Sequence, residues 1–393
     1  MPPIYLDNAA STRVSDDVLA VMTEVMKTAW GNPSSQHPQG AAARGHIETA
    51  RGKLLAALGD RGGDPAGRSE SAPLRLGDVI WTSGCSEANA LAVLGAAKTH
   101  TGSIVISTLE HPAISTLADR LASEGREVIR VGPGPGPGGV LDPDELGLAA
   151  RGAGVVALIM VQNEIGVVQP IAALAAAVRA AAPKAHIHVD AAQALGKVAL
   201  DVTSLGVDSV ALAGHKLHGP KSAGALWLAK TASIAPLWVG GGQQRGLRGG
   251  TQDAPSAAGL GLAAERAVAS LTTARARWLE LAARVRTVLD ERGVAYRQLV
   301  PDHRRSPHIL ALGIAGVPAT ALRTVLASRG VYISTGSACA DGDSKASPVL
   351  EAIGMPQDHG MVRLSFGLDT TQSDVEEAAK ILADVAIELR KSS

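Results

Sequence analysis

Lys216 closes the run Ser209-Val-Ala-Leu-Ala213-Gly-His-Lys216. A lysine in a loop is ordinarily a solvated charge, but one placed directly after an apolar strand can enter a low-dielectric pocket. There its pKa falls and its amine can form an imine. Asp190 directly follows His186-Ile-His-Val189, so its carboxylate is expected against the sheet, where it needs a cationic partner. A protonated pyridine nitrogen would serve, and lysine plus acid is the pairing of a pyridoxal phosphate (PLP) site. His111, in Leu109-Glu-His-Pro112, can lie flat on such a ring. Ser83-Gly-Cys85-Ser86 offers hydroxyls and backbone N–H groups at a helix start, a seat for phosphate, although the same pattern also makes a plain N-cap. Cys339 stands in Val331-Tyr-Ile-Ser-Thr-Gly-Ser-Ala-Cys339-Ala-Asp-Gly-Asp-Ser-Lys345, where an apolar strand enters a small polar loop. An inert thiol packs inside an element, whereas a working one needs partial exposure.

The elements that must carry these residues alternate in type. Val79–Thr82, Ser103–Ser107, Val128–Val131, Val155–Val161, Ile187–Val189, Ser209–Ala213 and Ala225–Leu228 have strand character, with helices such as Ser86–Lys98, Ala113–Ser123 and Ala172–Ala182 between them. This is the rhythm of a mainly parallel, doubly wound sheet. In such sheets ligands gather at the carboxyl ends of the strands. Polar residues fall there five times: Ser83–Ser86, Glu110-His111, Gln162-Asn163-Glu164, Asp190 with Gln193, and His215-Lys216. After about residue 258 a long helical stretch (Ala258–Arg292) leads to short strands at His308–Leu312, Val331–Ser334 and Val362–Phe366 and a final helix, Gln372–Lys391, which predicts a second, smaller α+β domain. Gly59–Gly77 and the Gly-Pro repeat Gly132–Gly139 read as surface loops without chemistry.

With 393 residues the chain can bury a large core, and its zero formal net charge gives no basic surplus for nucleic acid. A 46% hydrophobic, 19% charged composition is an ordinary soluble balance, for which a small-molecule partner is the default expectation. No uninterrupted apolar segment of about 18 residues and no signal-type leader is found, so no membrane partner and a cytoplasmic location are expected. The two cysteines, Cys85 and Cys339, lack zinc-site spacing. Only nine aromatic residues are present, so a flat ligand has few rings to stack on and histidine becomes the better candidate.

Together the residues resemble fold-type I PLP enzymes of the class V aminotransferase group, specifically cysteine desulfurases of the NifS/IscS type. The resemblance spans nearly the whole chain: Tyr5-Leu-Asp-Asn-Ala-Ala-Ser-Thr12, Gly31-Asn-Pro-Ser-Ser35, Thr82-Ser-Gly-Cys-Ser-Glu-Ala-Asn89, Glu110-His111, Asn163-Glu-Ile-Gly-Val-Val-Gln169, His188-Val-Asp-Ala-Ala-Gln193, Gly214-His-Lys-Leu-His-Gly-Pro-Lys221, Arg248-Gly-Gly-Thr251, Ser337-Ala-Cys339 and Val362-Arg-Leu-Ser365. It implies a large PLP-binding domain over 16–258 and a small domain from 1–15 and 259–393 that carries the cysteine loop. It also implies that Lys216 bears the PLP Schiff base, Asp190 pairs with the pyridinium, Gln193 bonds the ring hydroxyl and His111 stacks on the ring. Ser86, His215 and the backbone at Cys85 would hold the phosphate. Thr251 would reach the phosphate of a second copy in a homodimer. Asn163, which also borders the cofactor, would face the substrate with Arg363, and Asn32 is a further candidate for the substrate carboxylate.

The implied reaction converts L-cysteine to L-alanine and leaves sulfane sulfur on Cys339 as a persulfide for a sulfur-acceptor protein. Iron–sulfur cluster assembly, tRNA thiolation, DNA phosphorothioation and cofactor synthesis all draw on it. Selenocysteine lyase or other PLP chemistry, and a catalytically silent partner subunit, are the alternatives. Three departures from the family pattern stand out: Ala213 replaces a common phosphate-binding serine, Gly59–Gly77 is longer than usual, and the chain ends at Lys391-Ser-Ser without the longer extension used at scaffold-protein interfaces.

Overall fold

The computed structural model describes residues 3–60, 77–134, 136–336 and 347–392. In chain order these form β1 (Ile4–Tyr5), α1 (Asp16–Thr28), α2 (Pro38–Ala57), β2 (Gly77–Thr82), α3 (Cys85–Thr99), β3 (Ser103–Ser107), α4 (Pro112–Ser123), β4 (Val128–Val131), α5 (Pro143–Ala149), β5 (Ala153–Ile159), α6 (Ile171–Ala181), β6 (His186–Asp190), β7 (Ser209–Ala213) and β8 (Gly224–Ala229). There follow α7 (Ala254–Ala269), α8 (Leu271–Glu291), β9 (Tyr296–Gln298), β10 (Ile309–Ala315), α9 (Ala319–Ser328), β11 (Val331–Tyr332), α10 (Pro348–Ala352), β12 (His359–Ser365) and α11 (Gln372–Ser392).

The large sheet has the order β2-β8-β7-β6-β5-β3-β4. Only β8 runs against the rest, pairing antiparallel with both β2 and β7. The carboxyl ends of the other six strands therefore share one edge, as the βαβ rhythm predicts. Strands β5, β6 and β7 are buried along their whole length, which suits the apolar runs of β5 and β7, whereas β6 alternates and satisfies its buried His186, His188 and Asp190 by hydrogen bonds. One face is covered by a core that includes Leu54, Val105, Val189 and Leu260, the other by Leu91, Ile106 and Leu226 under α3 and α4.

The smaller antiparallel sheet, β12-β10-β9, lies under α8 and α11 in a core centred on Trp278, Leu310, Val362, Phe366 and Leu382. Leu6, near the other end of the chain, is buried in that same core, because β1 pairs with β11. A further cluster joins Leu109, Ile159 and Ile165 from the ends of the large sheet to Ala311 and Met361 of the small one. The two sheets thus meet where the polar strand ends lie.

Three expectations need correction. The stretch 258–292 is two helices, α7 and α8, broken at Ser270 without a glycine or proline. Ala257, Leu260 and Ala264 of α7 belong to the large core, whereas Trp278 and Val285 of α8 belong to the small one, so the chain changes partner there. Strand β5 ends at Ile159 rather than Val161, because Val161 turns to pair with Val168. The Gly-Pro loop is not a surface feature throughout: Gly138 and Gly139 are buried, and Gly139 accepts from Gln169 Nε2 at 2.8 Å. Its positive φ of 78° and the side chains of Ile353 and Ile165 against it require glycine.

Of the long connection before β2, residues 61–76 lie outside the described residues, but its two ends meet. Asp60 accepts from the Gly77 N–H at 2.8 Å and from Trp227 Nε1 at 3.0 Å, and a Cβ on Gly77 would lie 2.5 Å from the Trp227 indole. Trp227 is fully buried and cannot retreat. Gly77→Ala is therefore expected to cost about 1–3 kcal/mol. Urea unfolding should show a lower midpoint with an unchanged slope; an unchanged midpoint would mean that this corner yields freely.

Candidate active site

Lys216 sits in a single 3-10 turn, Gly214–Lys216, at the end of β7. Its Nζ donates to the carbonyls of Ala9 (2.7 Å) and Ala10 (2.8 Å), neutral acceptors that hold the amine in place without an acid. Burial, then the nearby Arg363 guanidinium, lowers its pKa to about 8 against the opposing pull of Cys85, Asp7 and Asp190. The Ala9 carbonyl also accepts from Gln193 Nε2 at 2.7 Å, and Gln193 Oε1 is 3.2 Å from His308 Nε2.

Asp190 ends β6 and is 4% exposed. One oxygen, Oδ1, accepts from the Ala192 N–H at 2.9 Å and faces the Cys85 thiol at 3.5 Å; the other, Oδ2, accepts from Asn89 Nδ2 at 2.7 Å. Burial and the Asp190 charge push the Cys85 thiol well up, so it stays a protonated packing group rather than a nucleophile. His111 follows β3 and caps α4, its Nδ1 accepting from the Ala113 N–H at 3.0 Å, which leaves the proton on Nε2. Desolvation lowers its pKa, with Asp190 opposing and Lys216 assisting, so all three groups lie within electrostatic reach of one another. Glu110, beside it, is a strap rather than a site group. It is buried and accepts from Ser107 Oγ (2.5 Å) and the Ile159 N–H (2.8 Å), and burial raises its pKa to about 8.

The turn after β2 opens α3 at Gly84, which provides no side-chain cap. Ser83 and Ser86 are exposed there. Glu87 steadies the turn from beneath, taking the Ser83 N–H at 2.6 Å and Arg248 Nε at 2.9 Å. Burial works to raise the Glu87 pKa, and those donors outweigh it to hold the carboxyl below its usual range. Thr251 is exposed near this turn and lines a cavity of about 220 Å³ with Thr82, Ser83, Ser222 and Arg248. His215 lies 3.3 Å from Ser11 Oγ and is held to about 4 by burial and by Lys216, so near neutrality it can offer a hydrogen bond but no charge. Ala213, at the end of β7, is buried.

Arg363 projects from β12 of the small sheet and is 5% exposed. It pairs with Asp7 (2.5 Å) and donates to the Asn163 carbonyl (2.7 Å). Among the described residues, Arg363 Nε and Asn163 Oδ1 are buried with no hydrogen-bond partner. Asn32 is exposed and accepts from the Ser34 N–H at 2.9 Å, in a turn packed on the start of α2. Cys339 lies outside the described residues. The backbone leading to it is anchored, because Ser334 exchanges both hydrogen bonds with Arg363 (2.7 and 3.2 Å).

Three contributors escape a reading by residue type: Asp7 pairs through its side chain with Arg363, the Ala9 carbonyl accepts from Lys216, and Ser365 Oγ binds the Ala9 N–H at 2.9 Å. Asn89 had a legible signal: it stands four residues after Cys85 on one helix face, and both reach Asp190.

The lowered Lys216 pKa predicts that its amine is half neutral near pH 8 and predominantly neutral above. Competitive acylation of the cofactor-free protein, read by peptide mass spectrometry, should give a midpoint there, well below a free lysine; a midpoint near 10.5 would contradict the burial.

The aminotransferase class-V family pattern matches residues 4–377. A cysteine desulfurase of Rhodobacter capsulatus is 37% identical over 403 residues, covering 99% of this chain and 98% of that protein. Among solved structures, a NifS-like protein superposes with a TM-score of 0.87 at 29% identity, covering 98% of this chain and all of that one. SspA in complex with cysteine gives 0.76 at 28%, covering 92% and 98%. The chain belongs to the class-V aminotransferase family, among the cysteine desulfurases of the NifS/IscS type.

Proposed function

We propose that this chain is a PLP-dependent cysteine desulfurase that converts L-cysteine to L-alanine and receives the sulfur on Cys339 as a persulfide. The observation that carries the reading is the meeting, where the large and small sheets face each other, of an amine with lowered pKa and a buried carboxylate on one and a buried guanidinium on the other.

The residues present fit PLP. Asp190 is a buried anion whose partners are an amide, a backbone N–H and a thiol, which suits a cationic ring nitrogen. The uncapped start of α3, with Ser83, Ser86 and the neighbouring Thr251, suits a phosphate. Lys216 would hold the cofactor, with Gln193 and His111 beside it and His215 at the phosphate. When bound, PLP supplies an electron sink for the bonds at the substrate Cα. A homodimer in which Thr251 serves a second copy accords with the exposure of that residue.

The chain's own groups divide the remaining work. Arg363 binds the substrate carboxylate through its guanidinium, with Asn163 alongside. Lys216, neutral above about pH 8, takes the Cα proton. The Cys339 thiolate attacks the substrate sulfur: an S–S bond forms, the Cβ–S bond breaks, and the carbon skeleton collects protons to leave as alanine. Cys339 stands only five residues beyond Ser334, and extended backbone covers about 3.5 Å per residue, so its anchor on the Arg363 strand keeps it within about 17 Å.

Cys339→Ala is expected to abolish turnover of L-cysteine to alanine and sulfide while the protein still acquires the visible band of lysine-bound PLP. Full turnover in that variant would sink the proposal and favour an eliminase that needs no protein thiol. Arg363→Lys keeps the charge but loses the planar fork, and should raise KM for cysteine about 10-fold or more. An unchanged KM in steady-state assays would place the carboxylate elsewhere.

A further inference from the structure

Behind Asp190 runs a buried chain of hydrogen bonds whose direction can be assigned atom by atom. Asn89 Nδ2 donates to Asp190 Oδ2 at 2.7 Å, which leaves Asn89 Oδ1 as an acceptor facing His188 Nε2 at 2.9 Å. His188 must therefore carry its proton on Nε2, and its Nδ1 accepts from Ser209 Oγ at 2.8 Å. The Ser209 oxygen in turn accepts from His186 Nε2, also at 2.8 Å. Asn89, His188 and Ser209 are wholly buried. Burial lowers His186 to about 4 and His188 to about 3, so both rings are neutral near pH 7 and the chain keeps one polarity.

The consequence falls on Asp190. Its Oδ1 already has two partners, the Ala192 N–H and the Cys85 thiol, whereas Oδ2 has one. A carboxylate oxygen offers about two lone pairs, so the free acceptor position lies on Oδ2, beside Asn89. We propose that Asn89, locked by His188 and Ser209, is a positioning residue that orients Asp190 so that Oδ2 receives the protonated ring nitrogen of PLP. This rests on the assignment of PLP to the site. Removing the Asn89 amide frees the carboxylate to rotate about its terminal torsion. Removing the Ser209 hydroxyl frees His188 to take the other tautomer, after which Asn89 can turn its oxygen toward Asp190.

The test uses Asn89→Leu and Ser209→Ala in the full chain, loaded with PLP carrying nitrogen-15 in the ring. The nitrogen-15 resonance should report a protonated ring in the unaltered protein and move toward the unprotonated value in both variants, furthest in Asn89→Leu. The affinity of the cofactor-free protein for PLP, titrated by fluorescence, should weaken about 10-fold for Asn89→Leu, and kcat should fall with little change in KM. A resonance and affinity matching the unaltered protein, in whichever variant folds, would overturn the proposal. Failure of the PLP assignment is separable: the unaltered protein itself would then bind no PLP and give no visible band that Lys216→Ala abolishes.

Discussion

The carbonyl oxygen of Ala9 accepts both Lys216 Nζ and Gln193 Nε2 at 2.7 Å, and that shared acceptor fixes how the two halves of the molecule meet. Lys216 and Gln193 hang from the large sheet, whereas Ala9 is strapped to the small one. Its N–H binds Ser365 Oγ, Asn8 Nδ2 binds the Ser365 carbonyl, and Asp7 pairs with Arg363 on the same strand. A two-stranded pairing of β1 with β11 anchors the strap at its start, and Thr12 anchors its end through its N–H and hydroxyl, both donated to the His215 carbonyl at 2.9 Å. Few contacts thus set the relative position of an amine on one sheet and a guanidinium on the other.

That assembly also sets the electrostatics. Desolvation is the first cause of the lowered pKa at Lys216 and at His111, His188 and His215, so the site weakens the hold of its bases on protons by excluding water rather than by opposing charges. Acids near Lys216 act the other way, and they are kept from dominating by being engaged: Asp7 with Arg363, and Asp190 with Asn89 and the Ala192 N–H. The Ala9 and Ala10 carbonyls fix the amine without bringing a full negative charge to it. Lys197, buried beside the Trp278 ring, is lowered to about 8 by the same desolvation and adds positive potential behind the site.

Much of this was legible because period and burial agree. The strands β3, β4 and β7 have the bounds their apolar runs predict, and polar singletons after those runs mark the rim because a parallel sheet aligns its carboxyl ends. The break at Ser270 was not legible, since nothing in its residue type forbids continued helix; the partner change between two cores decides it. The burial of Gly138 and Gly139 escaped for the same reason, as a Gly-Pro repeat looks alike whether it meets water or Ile353. Roles played by backbone carbonyls, such as Ala9, leave no trace in side-chain identity. Asn89 is the intermediate case, visible only once helical spacing is combined with a known target for the face it shares with Cys85.

In the reading proposed above, Arg363 would link substrate recognition to the basicity of Lys216. Its guanidinium is the second-largest cause of the lowered lysine pKa, after burial, while Asp7 acts in the opposite sense. A carboxylate bound at that guanidinium would bring a negative charge to the place from which the depression originates, and would raise the proton affinity of Lys216. By reciprocity, the protonated amine would then strengthen the hold on the carboxylate. On the same reading, the basicity of Lys216 would rise as the substrate brings its Cα proton within reach. The Asp7 pairing keeps the change moderate, because the guanidinium is already half compensated before the substrate charge is added.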